Sequence, residues 1–397
     1  MYLIAYIDRS NFAYAISAVQ REFGVTASQA GFASGIFFVS YILFQAPGGY
    51  LAQKWGAKRY IFWSMLVWGA AATLCGFSRS FHELLLWRFC LGMGESGVWP
   101  AATVLLTRWF VPAERARANA YWVLAQPCAV LVAGPASGWL LDRYDWRWMF
   151  VVEGLLPILF AGVWWWAVQD RPPDTAPSSD QPIESNQGDR SPLPGHSLGR
   201  FSFLRNRNVP ILLGMNLAFS CGIYGLLMWL PAAIQSLSAR SNLAVGTLTA
   251  IPYLFAAIGI VYIGHRSDKA RERRWHIAIP LLIAGLTLNV GYFTSKPAPL
   301  IGLVLLCATC AAIYGSYGPK WAVLAELLPA KTLGLALGFL NGIASIGSFF
   351  GPVLFGVLRD KTGAFAAGFV FLGCCLAAAG ILALLLDKPE RTSLAAA

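Results

Sequence analysis

Residues 134–142, Gly-Pro-Ala-Ser-Gly-Trp-Leu-Leu-Asp, return in altered form at residues 351–360, Gly-Pro-Val-Leu-Phe-Gly-Val-Leu-Arg-Asp. A second pair stands at nearly the same separation. Gly49-Tyr-Leu-Ala-Gln-Lys-Trp-Gly-Ala-Lys-Arg59 has a looser counterpart in Gly264-His-Arg-Ser-Asp-Lys-Ala-Arg-Glu-Arg-Arg274, and the two offsets are 217 and 215 residues. The chain therefore reads as two copies of one unit in series. Internal duplication of this kind marks secondary transporters, whose substrate site forms near the membrane midplane.

Composition agrees with a membrane setting. The 397 residues are 57% hydrophobic and 12% charged, with 16 Trp and 25 Phe, whereas soluble domains are roughly a quarter charged. A transmembrane helix needs about 20 mostly apolar residues. Twelve such runs can be marked, at about 1–19, 28–52, 58–77, 82–107, 115–140, 148–168, 208–232, 245–264, 275–294, 299–326, 332–357 and 364–386. The one long polar interval, Gln169 to Arg207, is rich in Pro, Ser, Asp, Asn and Gly and is expected to be a flexible linker. The expected architecture is an all-α integral membrane protein of twelve helices. It has an N-terminal six-helix half (1–168), a cytoplasmic linker (169–207), a C-terminal six-helix half (208–386) and a cytoplasmic tail (387–397).

The repeat also bears on the first helix. The seventh run begins near Asn208, so its counterpart should begin about eight residues before Met1 by the repeat offset. The expectation is that Met1 lies inside the first helix and that a short cytoplasmic tail precedes it. The opening run lacks a basic n-region and a small-residue cleavage site, so no signal peptide is read there.

The net charge of +11 does not indicate nucleic-acid binding, because the basic residues are scattered through short loops and form no separate basic domain. They serve better to orient the chain. With a cytoplasmic N-terminus, the even-numbered loops hold twelve Lys and Arg against eight in the odd-numbered loops, and the basic linker edges add to the cytoplasmic side. Both termini are then inside, in the cell inner membrane. All eight cysteines lie in or at the edges of the runs, including Cys307-x-x-Cys310 and Cys374-Cys375. Without histidine or further ligands beside them they read as small apolar packing rather than a metal site.

An ionisable residue in mid-membrane costs roughly 2.5–3.5 kcal/mol, so each one asks for a reason. Asp8 and Arg9, in Ala-Tyr-Ile-Asp-Arg-Ser-Asn, lie midway along the restored first helix, and Glu95 lies midway along the fourth. Lys320 is in the tenth, five or six residues from its cytoplasmic end, where it reads equally as a ligand or as a side chain reaching to the rim. Arg88 and Glu153 are read as about one turn inside their helices on the outer side, and Glu326 as close to the cytoplasmic end. None of the four histidines is mid-span, so protons, if moved, must ride on carboxylates, and Asp8 and Glu95 are the acids placed to carry them. Neighbours on a helix point about 100° apart, so Asp8 and Arg9 need not pair with each other. A second reading pairs Asp8 with Arg88 or with another helix and takes Glu95 as a buried, protonated acid. A second tier of polar residues, Tyr6, Tyr41, Gln45, Gln126, Asn216, Trp321 and Asn341, could line one cavity. No nucleophile with a base and no metal-ligand cluster is visible, which speaks against an enzyme. A membrane sensor would need an output domain that neither linker nor tail offers.

Five motifs in order carry a family resemblance: YIDRSN; RFCLGMGESGVWPA followed by RWFVPAERARAN; SGWLLDRYDWRWMFVVEGLLP; SDKARERRWHIA; and YGPKWAVLAELLP leading into LGFLNGIASIGSFFGP. Over essentially its whole length the chain resembles the major facilitator superfamily, and within it the anion:cation symporter branch of bacterial sugar-acid and organic-acid permeases. The resemblance implies a proton-coupled symporter that takes up a small organic anion such as a sugar acid, with protons as the coupling ion and no other cofactor. Alternatives are an aromatic or aliphatic carboxylate permease, or an anion or drug antiporter working as an exporter. It implies a monomer in the bilayer with no nucleic-acid partner. It places Arg9 on the substrate carboxylate, with Tyr6, Tyr41, Gln126, Asn216, Trp321 and Asn341 around it, and Asp8, Glu95 and Arg88 in proton coupling. Asp268 and Arg59 fall in the two gating loops. Two departures stand out. Gln53 replaces the aspartate usual in the first gating loop, and Lys320 stands where relatives often carry an aromatic or small residue, which would favour a substrate with a further anionic or carbonyl group.

Overall fold

A computed structural model describes residues 1–171, 202–238, 241–328 and 333–387. Among the described residues the chain is helical and holds no strand. Fourteen α-helices follow one another: α1 (Tyr2–Phe23), α2 (Ala27–Trp55), α3 (Ala57–Gly76), α4 (Phe81–Glu95), α5 (Val98–Trp109), α6 (Pro112–Arg143), α7 (Trp146–Ala167), α8 (Asn208–Ser238), α9 (Asn242–Ala270), α10 (Arg274–Thr294), α11 (Pro299–Gly315), α12 (Tyr317–Leu327), α13 (Leu333–Thr362) and α14 (Ala366–Leu384). Ten stretches are long and apolar enough to cross a membrane by themselves. The two that fall short, α1 and α3, carry Asp8 with Arg9 and Lys58 with Arg59.

The expected fourth and tenth helices are each in two pieces, and the break has the same cause in both. Pro100 is the third residue of α5 and Pro319 the third residue of α12. A proline has no N–H to give the carbonyl four residues back, yet fits the first turn of a new helix. The chain therefore ends one helix and begins another, at Ser96-Gly97 and at Ser316. Both serines steady the break by donating Oγ–H to a carbonyl three residues earlier, Ser96 to Met93 at 2.8 Å and Ser316 to Ile313 at 2.7 Å.

The chain divides into two compact units that do not follow its order. One contains Met1–Arg9, Ile36–Gln126 and Arg147–Gly199, and the other Ser10–Gly35, Pro127–Trp146 and Arg200–Ala397. The first packs around Trp68, Ile61, Met65, Ala101 and Ala161. At its edge the start of the expected linker is placed. Asp170 accepts the backbone N–H of Lys58 at 2.9 Å, and Gly56, at φ +91°, turns the chain into α3 beside it. The rest of that linker, 172–201, and the tail from 388 lie outside the described residues.

The second unit explains the repeated Gly-Pro stretch. Asp142, at the end of α6, accepts the backbone N–H groups of Asn242 and Leu243 at 2.8 Å each, at the start of α9. Asp360, at the end of α13, accepts those of Ala27 and Ser28 at 2.8 and 2.7 Å, at the start of α2. The first N–H groups of a helix have no partner within it, and an aspartate both bonds them and meets the positive end of the helix dipole. The glycines before each aspartate allow the approach. A Cβ on Gly138 would lie 2.9 Å from Leu243 Cα, and one on Gly356 would lie 2.9 Å from Ser28 Cα. Small residues at such crossings are what allows helices to pack closely in a membrane. Elsewhere in this unit Trp229 stacks on Phe355 with ring centroids 5.1 Å apart and donates its indole N–H to the Pro352 carbonyl at 2.9 Å.

Asp142→Ala and Asp360→Ala should each cost about 0.5–2 kcal/mol, the usual worth of a helix-start acceptor. Thermal unfolding of the purified chain in detergent checks this, and a melting temperature equal to that of the unmodified chain in both variants would contradict it. Gly138→Val should lower the melting temperature further than either.

Candidate functional site

The site in the first unit is built on α1. Arg9 Nε donates to Glu95 Oε2 at 2.5 Å, and both side chains are buried, at 6% and 0% exposure. The guanidinium carbon also lies over three rings, Tyr41 at 4.9 Å, Phe37 at 5.3 Å and Tyr6 at 5.8 Å from the centroid. Arginine suits such a cage because its planar cation stacks on aromatic faces while its edge donates to a carboxylate. Glu95 is the last residue of α4, immediately before the break, so its carboxylate is set where the helix ends. Gly94 brings α4 against α3, since a Cβ there would lie 2.9 Å from the Trp68 backbone nitrogen.

Asp8 takes a different partner from Arg9, as the 100° between neighbouring side chains dictates. Its Oδ2 accepts the indole N–H of Trp68 at 3.1 Å, and the residue is completely buried. Glu95, Glu153 and Arg88 all lie within electrostatic reach of it. Asp8 Oδ1 and Glu95 Oε1 are buried and have no hydrogen-bond partner among the described residues. Each carboxyl thus keeps one oxygen on which a proton can sit without displacing another bond.

Arg88 and Glu153 lie deeper than expected. They are 1% and 3% exposed, and each is the eighth residue of its helix, two turns inside rather than one. Glu153 is thus a third buried acid beside Asp8 and Glu95, one that sequence position alone sets only about one turn inside its helix. Gln126 is buried, and its amide donates to the Tyr2 hydroxyl at 2.8 Å, while Tyr2 stacks on Trp122 at 4.6 Å.

In the second unit Lys320 is 3% exposed, so it does not reach to a rim. Its ammonium lies 4.0 Å from the Phe219 ring centroid, 5.0 Å from Tyr317 and 5.1 Å from Trp321. Asn216 is buried one turn before Phe219 on α8 and donates to its own helix at the Leu212 carbonyl, 2.8 Å away. Asn341, on α13, is half-buried.

Of the two residues expected in gating loops, Asp268 bonds Arg273 Nη1 at 2.5 Å, and Arg273 Nε reaches Glu326 at 2.9 Å, which ties the ends of α9 and α12 to the start of α10. Part-burial opposes the Arg273 charge, but the bonds to Glu326 and Asp268 outweigh it and hold its pKa above the ordinary value. Arg59 is exposed in the first turn of α3. With Gln53 in place of an acid, Asp170 supplies the carboxylate at this helix start, with Arg108 3.7 Å from it.

Buried charges on interrupted apolar helices, in a chain of repeated membrane spans, define a membrane transporter. The chain belongs to the Major Facilitator Superfamily, whose family model matches residues 1–319 and again 236–397. It is 28% identical over 403 residues to a putative tartrate transporter of Agrobacterium vitis, covering 98% of this chain and 92% of that one. It is 27% identical over 390 residues to a quinolone resistance transporter of Acinetobacter baumannii, covering 94% and 88%. The crystal structure of a D-xylose-proton symporter matches with a TM-score of 0.78 at 17% identity, over 98% of this chain and 96% of that one, a likeness of fold.

Trp68→Phe keeps the ring but removes the one hydrogen bond to Asp8. It should destabilise the protein by about 1–3 kcal/mol, the cost of a buried polar group left unpaired. Thermal unfolding near neutral pH measures it, and an unshifted transition would show that Asp8 does not depend on the indole.

Proposed function

We propose that the chain is a proton-coupled symporter that takes up a small organic anion, such as a sugar acid, across the inner membrane by alternating access. The observation that carries this is the buried Arg9–Glu95 pair beside the part-bonded carboxyl of Asp8. An arginine held by a glutamate cannot fully serve a substrate carboxylate. When Glu95 takes a proton on its open oxygen, its attraction for Arg9 falls, and the guanidinium turns its donors to the incoming acid in charge-assisted hydrogen bonds. Loss of the proton restores the pair and expels the anion. Proton and anion then travel together. Asp8, with Glu153 and Arg88 in reach, is the second proton carrier. Tyr41 and Tyr6 keep Arg9 in place and, with Gln126, Asn216, Trp321 and Asn341, supply the substrate contacts. Asp268 and Arg59 belong to the gates. Residues 1–168 and 208–386 act as the two halves, with both termini cytoplasmic and the protein a monomer.

The quinolone resistance relative favours a second reading, an antiporter that exports an anionic drug. Direction separates the two. In proteoliposomes, a pH gradient acid outside should drive inward accumulation of a labelled carboxylic acid, and an absence of accumulation for aldonates, aldarates, aromatic acids and dicarboxylates alike would overturn symport.

Two variants sharpen the mechanism. Glu95→Gln should abolish pH-driven accumulation while counterflow exchange persists in part, and retained accumulation would remove Glu95 from the coupling step. Arg9→Lys keeps the charge but loses the planar fork, and should weaken half-saturation for the acid by about tenfold or more.

A further inference from the structure

We infer that a cavity among the helix ends of the second unit holds one acyl chain of an anionic phospholipid, whose headgroup lies at Lys296. The inference goes beyond transport, and stands or falls apart from the reading of the chain as an anion symporter.

The shape comes first. The cavity has a volume of about 590 Å³ and lies wholly within the second unit. Its walls run along three helices, from Leu230 to Leu237 on α8, from Thr287 to Ser295 on α10 and from Pro299 to Leu306 on α11, with one residue each from α9 and α14. At a rise of 1.5 Å per residue each stretch is about 10–12 Å long, roughly a third of the hydrocarbon core of a bilayer. All three stop where their helices do. Leu237 is one residue from the end of α8, Ser295 follows the last residue of α10, and Pro299 opens α11. The space is therefore a slot that begins at one face of the membrane and runs inward along the helices, as an acyl chain does.

The chemistry of the walls selects an apolar occupant. Among the described residues no charged side chain lines the slot, so an anion buried there would find nothing to answer its charge. Both aliphatic hydroxyls are already bonded within the protein, Thr287 Oγ to the Ile283 carbonyl at 2.8 Å and Ser295 Oγ to the Tyr292 carbonyl at 2.6 Å. The slot is also continuous with the lipid-facing surface. Its own Leu300 is 74% exposed, and Phe293, Ile301 and Val304 are exposed on the same two helices. An exposed apolar side chain on a membrane span meets acyl chains, so a lipid chain is what stands at the opening. At the helix ends Lys296, exposed in the loop between α10 and α11, directly follows Ser295. A lysine at that level stands among the headgroups and favours an anionic one.

The test places the full chain in proteoliposomes that contain a trace of phosphatidylglycerol with a diazirine on one acyl chain. After irradiation, mass spectrometry of peptides should find label concentrated in 230–237, 287–295 and 299–306, severalfold above the other lipid-facing helix surfaces. Leu303→Trp, which fills the slot from its wall, should remove that excess, and Leu286→Trp, on an exposed position outside the slot, should keep it. If Leu303→Trp lowers the thermal transition, Leu306→Phe supplies a smaller filling. Competition needs no filling variant: unlabelled phosphatidylglycerol should displace the label about fivefold better than phosphatidylcholine, the worth of one lysine near a headgroup. Lys296→Gln should bring the two lipids level. Label spread evenly over the lipid-facing surfaces of the unmodified chain, or an excess that survives both fillings, overturns the lipid site. Displacement by naphthalene but not by phosphatidylglycerol assigns the slot to a small apolar ligand and overturns it equally. Equal competition by the two lipids in the unmodified chain overturns the role of Lys296.

Discussion

An arginine and a glutamate bonded at 2.5 Å in the interior of apolar helices set the terms for the rest of the first unit. Neither charge is tolerable there alone. Removing one member of a buried pair commonly costs about 3–5 kcal/mol because the other is left uncompensated. The pair therefore constrains the packing of α1 against α4, and the close approach of α4 to α3 at Gly94 supports it. A proton on Glu95 would weaken its charge-assisted attraction for Arg9. Trp68 donates its indole N–H to the neighbouring acid, Asp8, on a separate side of α1.

Much of this was legible in the residues. The repeat, the helical class and the mid-span position of Asp8, Arg9 and Glu95 follow from spacing and hydropathy, because a charge in an apolar run is conspicuous whatever its partner. The separate partners of Asp8 and Arg9 follow from helix geometry. What the sequence hid was of two kinds. The helix breaks turn on Pro100 and Pro319, which lie inside apolar runs of full spanning length, and a window that averages hydropathy passes over a missing N–H. The aromatic partners, Trp68, Phe37, Phe219 and Tyr317, are indistinguishable in sequence from ordinary apolar filling, since only the fold decides which ring faces a charge. Sequence position underestimates the depth of Arg88 and Glu153 and leaves that of Lys320 open, because distance from a helix end does not say whether protein or water lies beside a side chain.

The same local surroundings hold two of the buried cations. Arg9 and Lys320 each sit among three aromatic rings, one in each compact unit. An aromatic cage holds a cation without spending its hydrogen-bond donors, so the donors stay available for a partner that comes and goes. The difference is that Arg9 has a resident acid, Glu95, and Lys320 has none among the described residues.

The two aspartates that cap helix starts carry a consequence about origin. Asp142 of the first repeat bonds the second repeat, and Asp360 of the second bonds the first at the matching place. Contact of i with j answered by contact of j with i is the signature of an isologous interface between identical subunits related by a two-fold axis. The single chain has kept that self-complementary surface after its copies were joined and diverged. A joined pair can specialise as an exchanging dimer cannot. Its symmetric contact still serves both copies alike, while one copy holds the acid-paired Arg9 and the other the ring-flanked Lys320, an asymmetry that no homodimer can build.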